Sequence, residues 1–211
     1  WWPAPASPGS EAPVKRIGVL VSGRGSNLQA LLDAARRGEL GGELAVVVSN
    51  VEGALGLERA RRAGIPAVFC DHHGKKREAF DAEIVGILQA HHVDLVCLAG
   101  FMRLLSPVFV SAFPGRIVNI HPALLPAFPG LDAQRQAWEH GVKVSGTTVH
   151  LVDEGLDSGP IVAQESVPVL SGDTPERLAA RILEAEHRLY PRAVRLLLEG
   201  RCRVEGRRVI V

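Results

Sequence analysis

Charge of one sign is what this chain most lacks: 24 lysines and arginines stand against 23 aspartates and glutamates, a formal net charge of +1. That balance gives no electrostatic case for nucleic acid or a membrane surface, so an anionic ligand must be held by local geometry. Cysteine is scarce too. Cys70, Cys97 and Cys202 have no metal-ligand spacing, and two of them lie in apolar runs, as buried thiols in a reducing, cytoplasmic compartment would. No apolar run approaches the roughly 18 residues of a membrane span, and Trp1 to Pro13 lacks the charged-then-apolar order of a signal peptide. There is no internal repeat and no mid-chain linker, so one domain over residues 15–211 is the simplest organisation. Residues 1–14, rich in Pro, Ala, Ser and Gly and without a period, read as a disordered tail or a leftover of cloning.

What is present is an α/β pattern. With 211 residues, 46% of them hydrophobic, the chain can bury roughly 70% of its unfolded surface. Apolar runs alternate with amphipathic segments, which predicts a Rossmann-like fold: a mostly parallel central sheet flanked by helices, with an antiparallel C-terminal part. Expected strands are Ile17–Val21, Leu44–Ser49, Ala67–Cys70, Leu95–Leu98, Ile117–Ile120, Thr147–Val152 and Ile161–Val169, the first five apolar enough to be buried on both faces. Expected helices are Ser26–Arg37, Gly56–Ala63, Arg77–His91, Pro107–Ala112, Ala133–His140 and Thr174–Glu199. Alternation around Glu205-Gly206 predicts a small terminal hairpin.

Three motifs carry chemistry. Ser22-Gly23-Arg24-Gly25-Ser26-Asn27-Leu28-Gln29 leaves a buried strand and opens a helix, which offers free backbone N–H groups at a positive helix end to a phosphate. Ser26 and Gln29 have capping-box spacing. The turn lacks the Lys-Ser/Thr ending of a nucleoside triphosphate loop and the glycine spacing of the dinucleotide fingerprint. A tight strand–helix junction would look the same. The second motif, Leu98 to Leu105, leaves another buried strand at the same sheet edge and places Met102 and an apolar surface beside Arg103, which suits a flat heteroaromatic ligand with amide-like edges. Packing of a strand end is the plain alternative.

The third motif is Asn119-Ile120-His121-Pro122 with Asp157 in Gly155-Leu156-Asp157-Ser158-Gly159-Pro160. Asn119 and His121 sit at i and i+2 on an expected strand, so their side chains leave on one face. An amide donor, an imidazole and a carboxylate to hold its proton can stabilise an oxyanion and move a proton during acyl transfer. The alternative is a turn cap, a core histidine and an ordinary loop acid.

Taken in order, Gly25-Ser26-Asn27, Gly100-Phe101-Met102-Arg103, Asn119-Ile120-His121-Pro122, Leu124-Leu125-Pro126 with Pro129-Gly130, and Leu156 to Pro160 resemble phosphoribosylglycinamide formyltransferases, over about residues 16 to 200. Arg77-Glu78 and Glu186-His187 with Tyr190-Pro191 also look like that family. The resemblance implies the formyltransferase fold, the co-substrate 10-formyltetrahydrofolate, the small-molecule acceptor phosphoribosylglycinamide, no metal, no nucleic acid or membrane partner, and a monomer or homodimer. It implies that Gly25, Ser26, Asn27 and Glu186 bind the acceptor. The folate would be met by Arg77, Met102, Arg103, Leu104, Leu105 and Asn119, while Asn119, His121 and Asp157 carry the chemistry. Two positions differ from many relatives: Asp132 follows Pro129-Gly130-Leu131 where a histidine is common, and Leu183 lies one turn before Glu186 where some have a polar or basic residue.

Asp71-His72-His73 and His91-His92 invite a metal reading, but adjacent side chains are expected to diverge and no third ligand stands at a recognised spacing. His140 and His150 are expected to be structural. A formyltetrahydrofolate hydrolase would use the same triplet with water as acceptor, but adds an amino-terminal regulatory domain for which residues 1–14 are too short. A methionyl-tRNA formyltransferase would add a carboxyl-terminal domain and a basic surface. A nucleotide-binding module without catalysis is the remaining alternative.

Overall fold

The computed structural model describes residues 14–211. The tail expected over residues 1–14 therefore lies, apart from Val14, outside the described residues. In chain order the elements are β1 (Arg16–Val21), α1 (Ser26–Arg36), β2 (Glu43–Ser49), α2 (Leu55–Arg62), β3 (Ala67–Phe69), α3 (Arg77–Ala90), β4 (Leu95–Leu98), α4 (Pro107–Ala112) and β5 (Ile117–His121). They continue with α5 (Ala133–Glu139), β6 (Val144–Leu151), β7 (Ile161–Pro168), α6 (Pro175–Leu198), β8 (Arg203–Glu205) and β9 (Arg208–Ile210).

One sheet of order β3-β2-β1-β4-β5-β6-β7-β9-β8 runs through all of them. β3, β2, β1, β4 and β5 are parallel, β6 is antiparallel to both β5 and β7, and the last two strands form the expected hairpin. The strand order reverses between β1 and β4, the place where open α/β sheets gape at their carboxyl edge. The glycine-rich turn leaves β1 there and the Met102 segment leaves β4.

Alternation along β1 divides the core. Ile17, Val19 and Val21 pack with Leu28, Leu31, Leu57 and Tyr190 beneath α1, α2 and α6. Leu20 faces the other way, onto Phe80, Ile84, Leu88 and Phe109 of α3 and α4. Tyr190, wholly buried, donates from its hydroxyl towards the carbonyls of Leu98 (2.8 Å) and Val118 (3.1 Å), tying α6 to β4 and β5. Thr174 caps α6 by accepting from Arg177 N, with Pro175 in the first turn.

Three expectations need correction. β3 is a half-buried edge strand, because only β2 pairs with it. β6 begins three residues earlier than expected, at Val144, because Gly146 is part of the ladder: a Cβ there would run into the Glu165 carbonyl of β7. α1 has no capping box. Gly25 takes the N-cap in the left-handed region (φ 67°), so Ser26 is already the first helical residue and its hydroxyl stands one position too late to cap.

Candidate active site

The glycine-rich turn is built by close approach. A Cβ at Gly25 would lie 2.8 Å from Gly56 Cα, and its positive φ is one that side-chain-bearing residues rarely adopt. Gly56 N donates to Gly23 O at 3.0 Å, which fixes the turn on the start of α2. Because no side chain caps α1, its first backbone N–H groups point out of the helix end, available to an anion. Asn27 Nδ2 donates to Glu186 Oε2 at 2.9 Å, so α6 brings its one buried carboxylate to this turn. Burial pushes the Glu186 carboxyl up, partly offset by Asn27.

The Met102 segment is pinned to the same turn. Ser22 N donates to Gly100 O at 3.0 Å, Met102 N donates to Ser22 Oγ at 2.9 Å, and Ser22 Oγ donates to Asn50 Oδ1 at 2.6 Å. Further along, Ser106 N donates to the buried Asp81 carboxylate at 2.6 Å. Between these anchors Met102 and Leu104 are 67% and 59% exposed, apolar side chains left for a ligand to cover. Leu105 is half-buried, and the Arg103 guanidinium lies over the Phe80 ring, 5.0 Å from its centre. Arg77 is not gathered with them: it opens α3 exposed to solvent, 3.8 Å from Glu78.

The catalytic candidates do converge. His121 is 4% exposed at the end of β5; its Nδ1 stands 3.4 Å from Asp157 Oδ2, and its Nε2–H donates to Phe128 O at 2.8 Å. Asp157 is itself in the left-handed region (φ 48°) and accepts from Gly130 N at 2.8 Å. Burial pushes the Asp157 carboxyl up, but His150, the Gly130 amide and the charge of His121 outweigh it and hold the group below its ordinary value.

His150, expected to be structural, stands against both Asn119 and Asp157. Antiparallel pairing sets His150 opposite Asn119 and Thr148 opposite His121. Asn119 Nδ2 donates to His150 Nε2 at 3.2 Å while His150 Nδ1–H donates to Leu151 O at 2.9 Å. His150 Nε2 also stands 3.6 Å from Asp157 Oδ1. The available signal was a buried-strand alternation carrying two polar residues, Thr148 and His150, on one face. Thr148 Oγ1 in turn donates to Ala123 O at 2.6 Å and accepts from Leu125 N at 3.0 Å, which fixes the chain just after His121.

The histidine pairs elsewhere divide. His91 and His140 close α3 and α5 by bonding Ile87 O and Gln136 O. Asp71, His72 and His73 do not diverge as adjacency suggested: their ligand atoms lie within 4.8 Å of one another, and the His72 and His73 rings are 4.2 Å apart. His73 Nδ1 is taken by Asp71 Oδ1 and His72 Nδ1 by Asn50 O. Cys70 and Cys97 are buried, which pushes their thiols up to about 11 and about 12 and leaves them unreactive.

The model of the formyl transferase family matches residues 15–194. The chain belongs to that family. Among its relatives is the phosphoribosylglycinamide formyltransferase of Escherichia coli strain K12, 46% identical over 189 residues, with 89% of each chain covered. The trifunctional purine biosynthetic protein adenosine-3 of Drosophila melanogaster is 52% identical over 189 residues, 88% of this chain; the chain spans only 14% of the length of that relative. Among solved structures, glycinamide ribonucleotide transformylase 1 from Symbiobacterium toebii superposes with a TM-score of 0.94 at 58% identity, covering 97% of this chain and 99% of the other. Among the described residues no helix is long and apolar enough to cross a membrane.

Proposed function

We propose that the chain transfers the formyl group of 10-formyltetrahydrofolate to the amine of phosphoribosylglycinamide, with Asn119, His121 and Asp157 as its catalytic residues. The observation that carries this reading is the place of the His121–Asp157 contact, 3.4 Å long, at the end of β5. The turn that offers amides to an anion and the exposed Met102–Leu104 lip leave the neighbouring strands β1 and β4 at the same edge. Gly25, Ser26, Asn27 and Glu186 receive the ribonucleotide. Met102 to Leu105 receive the pterin, and Arg77, outside this cluster, reaches only the far end of the folate.

The chemistry needs no enzyme nucleophile. The glycinamide nitrogen attacks the formyl carbon, a C–N bond forms, and the carbonyl electron pair moves onto oxygen. Asn119 Nδ2 and the protonated His121 stabilise that oxygen; the amine proton then passes to the folate nitrogen as the old C–N bond breaks. Both donors rest on protein acceptors, His150 Nε2 and Phe128 O. The developing oxyanion takes their place, and it is the stronger acceptor because it carries charge.

A turnover assay on the purified chain tests the function, with phosphoribosylglycinamide and water compared as acceptors. Formylated ribonucleotide should accumulate with one tetrahydrofolate per product. Folate release at the same rate without the amine would point to the hydrolase, and binding of both substrates without turnover to a non-catalytic module.

A further inference from the structure

A groove of about 340 Å³ opens beside the glycine-rich turn, lined by Ser26, Gln29, Asp33, Arg37, Arg59 and His187. Its volume lies at the lower end of the 300–1,000 Å³ typical of small-ligand sites. Ser26 belongs both to this groove and to the turn assigned to the acceptor's phosphate, and a role for the groove in acceptor binding rests on that assignment. A phosphate monoester carries about −1.5 to −2 charges at neutral pH. Gly25, Ser26 and Asn27 are neutral, a helix end supplies only about half a positive charge, and Glu186 behind Asn27 brings a carboxylate. The turn's one cation, Arg24, is exposed, and Arg37 across the groove is paired with Glu39 at 2.7 Å, so the turn itself offers the dianion no counter-charge held in place.

Arg59 of α2 stands where that charge is missing. Its stem packs on the turn, with Cδ 3.6 Å from where a Gly25 Cβ would be. Nε donates to Arg24 O at 2.8 Å and Nη1 to Gln29 Oε1 at 3.0 Å, so the guanidinium is held in place before any ligand arrives. Its Nη2 makes no hydrogen bond among the described residues. Across the groove, His187 Nε2 is buried with no hydrogen-bond partner, an arrangement that costs free energy unless a ligand supplies one. Burial, and after it the charge of Arg59, lowers the proton affinity of His187; an anion between the two would relieve the second effect.

We propose that Arg59 is the counter-charge of the acceptor's phosphate and that His187 Nε2 completes the same subsite, so that a phosphoryl group is selected by a guanidinium outside the glycine-rich turn.

The test separates charge from propping. Arg59→Lys keeps the charge but loses the two-pronged tether; Arg59→Gln keeps a neutral donor near Arg24 O and loses the charge. Calorimetry with ribose 5-phosphate and with inorganic phosphate should show Arg59→Gln weakened about tenfold or more, the size of a lost charge-assisted hydrogen bond, with Arg59→Lys between it and the wild type. In turnover, the KM for phosphoribosylglycinamide should rise in the same order while the folate KM stays within about twofold. The unphosphorylated glycinamide riboside should be used equally by wild type and Arg59→Gln. Arg59→Gln binding phosphate as well as the wild type, Arg59→Lys proving the worse of the two, or equal losses with and without the phosphate would each overturn the assignment. The calorimetry needs no turnover, so it decides the Arg59 site even if formyl transfer is absent.

Discussion

Ser22 Oγ accepts a hydrogen bond from the backbone amide of Met102 at 2.9 Å. One hydroxyl of the glycine-rich turn thereby holds the loop assigned to the folate. Donation of its own proton to Asn50 Oδ1 at 2.6 Å polarises the oxygen and strengthens its hold on Met102.

Ser22→Ala removes both bonds. The folate KM should rise about three- to tenfold, the worth of a neutral hydrogen bond, while the KM for phosphoribosylglycinamide changes less than twofold. Ser22→Thr, which keeps the hydroxyl, should restore most of the loss. Steady-state kinetics in both substrates decides this, and a larger effect on the ribonucleotide would refute it.

His121→Ala should lower kcat by about 10²- to 10⁴-fold with ribonucleotide binding retained, because the role proposed for it is confined to the transition state. Asp157→Asn should lower kcat at neutral pH and alter the acid limb of the pH–rate profile. The Asp157 carboxyl lies below its ordinary value when folded. It therefore stays ionised through mildly acidic pH, and the stability it contributes is present above the unfolded value and is lost only as pH falls through the depressed one. Acid unfolding of Asp157→Asn followed by circular dichroism should show a shallower loss over that window than the wild type.

Glu186 has the opposite sign. Its buried carboxyl is raised in the folded state, so ionising it opposes folding as pH rises through its unfolded value and beyond. Glu186→Gln, which can still accept from Asn27, should melt at a temperature about 2 °C higher at neutral pH and bind the ribonucleotide less well. Calorimetric melting beside KM measurement checks both halves.

Tyr190→Phe tests the anchor between α6 and the sheet. The hydroxyl reaches the carbonyls of Leu98 and Val118 in a fully buried site, so its removal costs the net worth of a buried hydrogen bond, about 1 kcal/mol. Urea midpoints should fall at unchanged m-value.

How far these features can be read from sequence depends on whether they are local. β1, β4, α4 and α6 follow from apolar runs, a proline in the first turn and helical spacing, and their bounds deviate by a residue or none. The convergence of His121 with Asp157 was legible through motif order. The place of His150 beside them was not, because it depends on which residue of β5 lies opposite it, a register that no local pattern encodes. Arg59 was hidden for a similar reason: on α2 it is one more cation on a polar helix face, and only the fold lays it against Gly25. The missing capping box at Ser26 shows the converse, a strong local signal overridden by one glycine in the left-handed region.

The contact between Gly25 and Gly56 reaches beyond this molecule. A Cβ on Gly25 would strike Gly56 Cα at 2.8 Å, and a Cβ on Gly56 would strike the Val21 side chain at 2.8 Å. The glycine-rich turn cannot therefore be transplanted as a contiguous peptide. Anyone grafting residues 22–29 onto another scaffold, or recombining two such enzymes at a crossover between β1 and α2, must carry the start of the second helix along as a matched part.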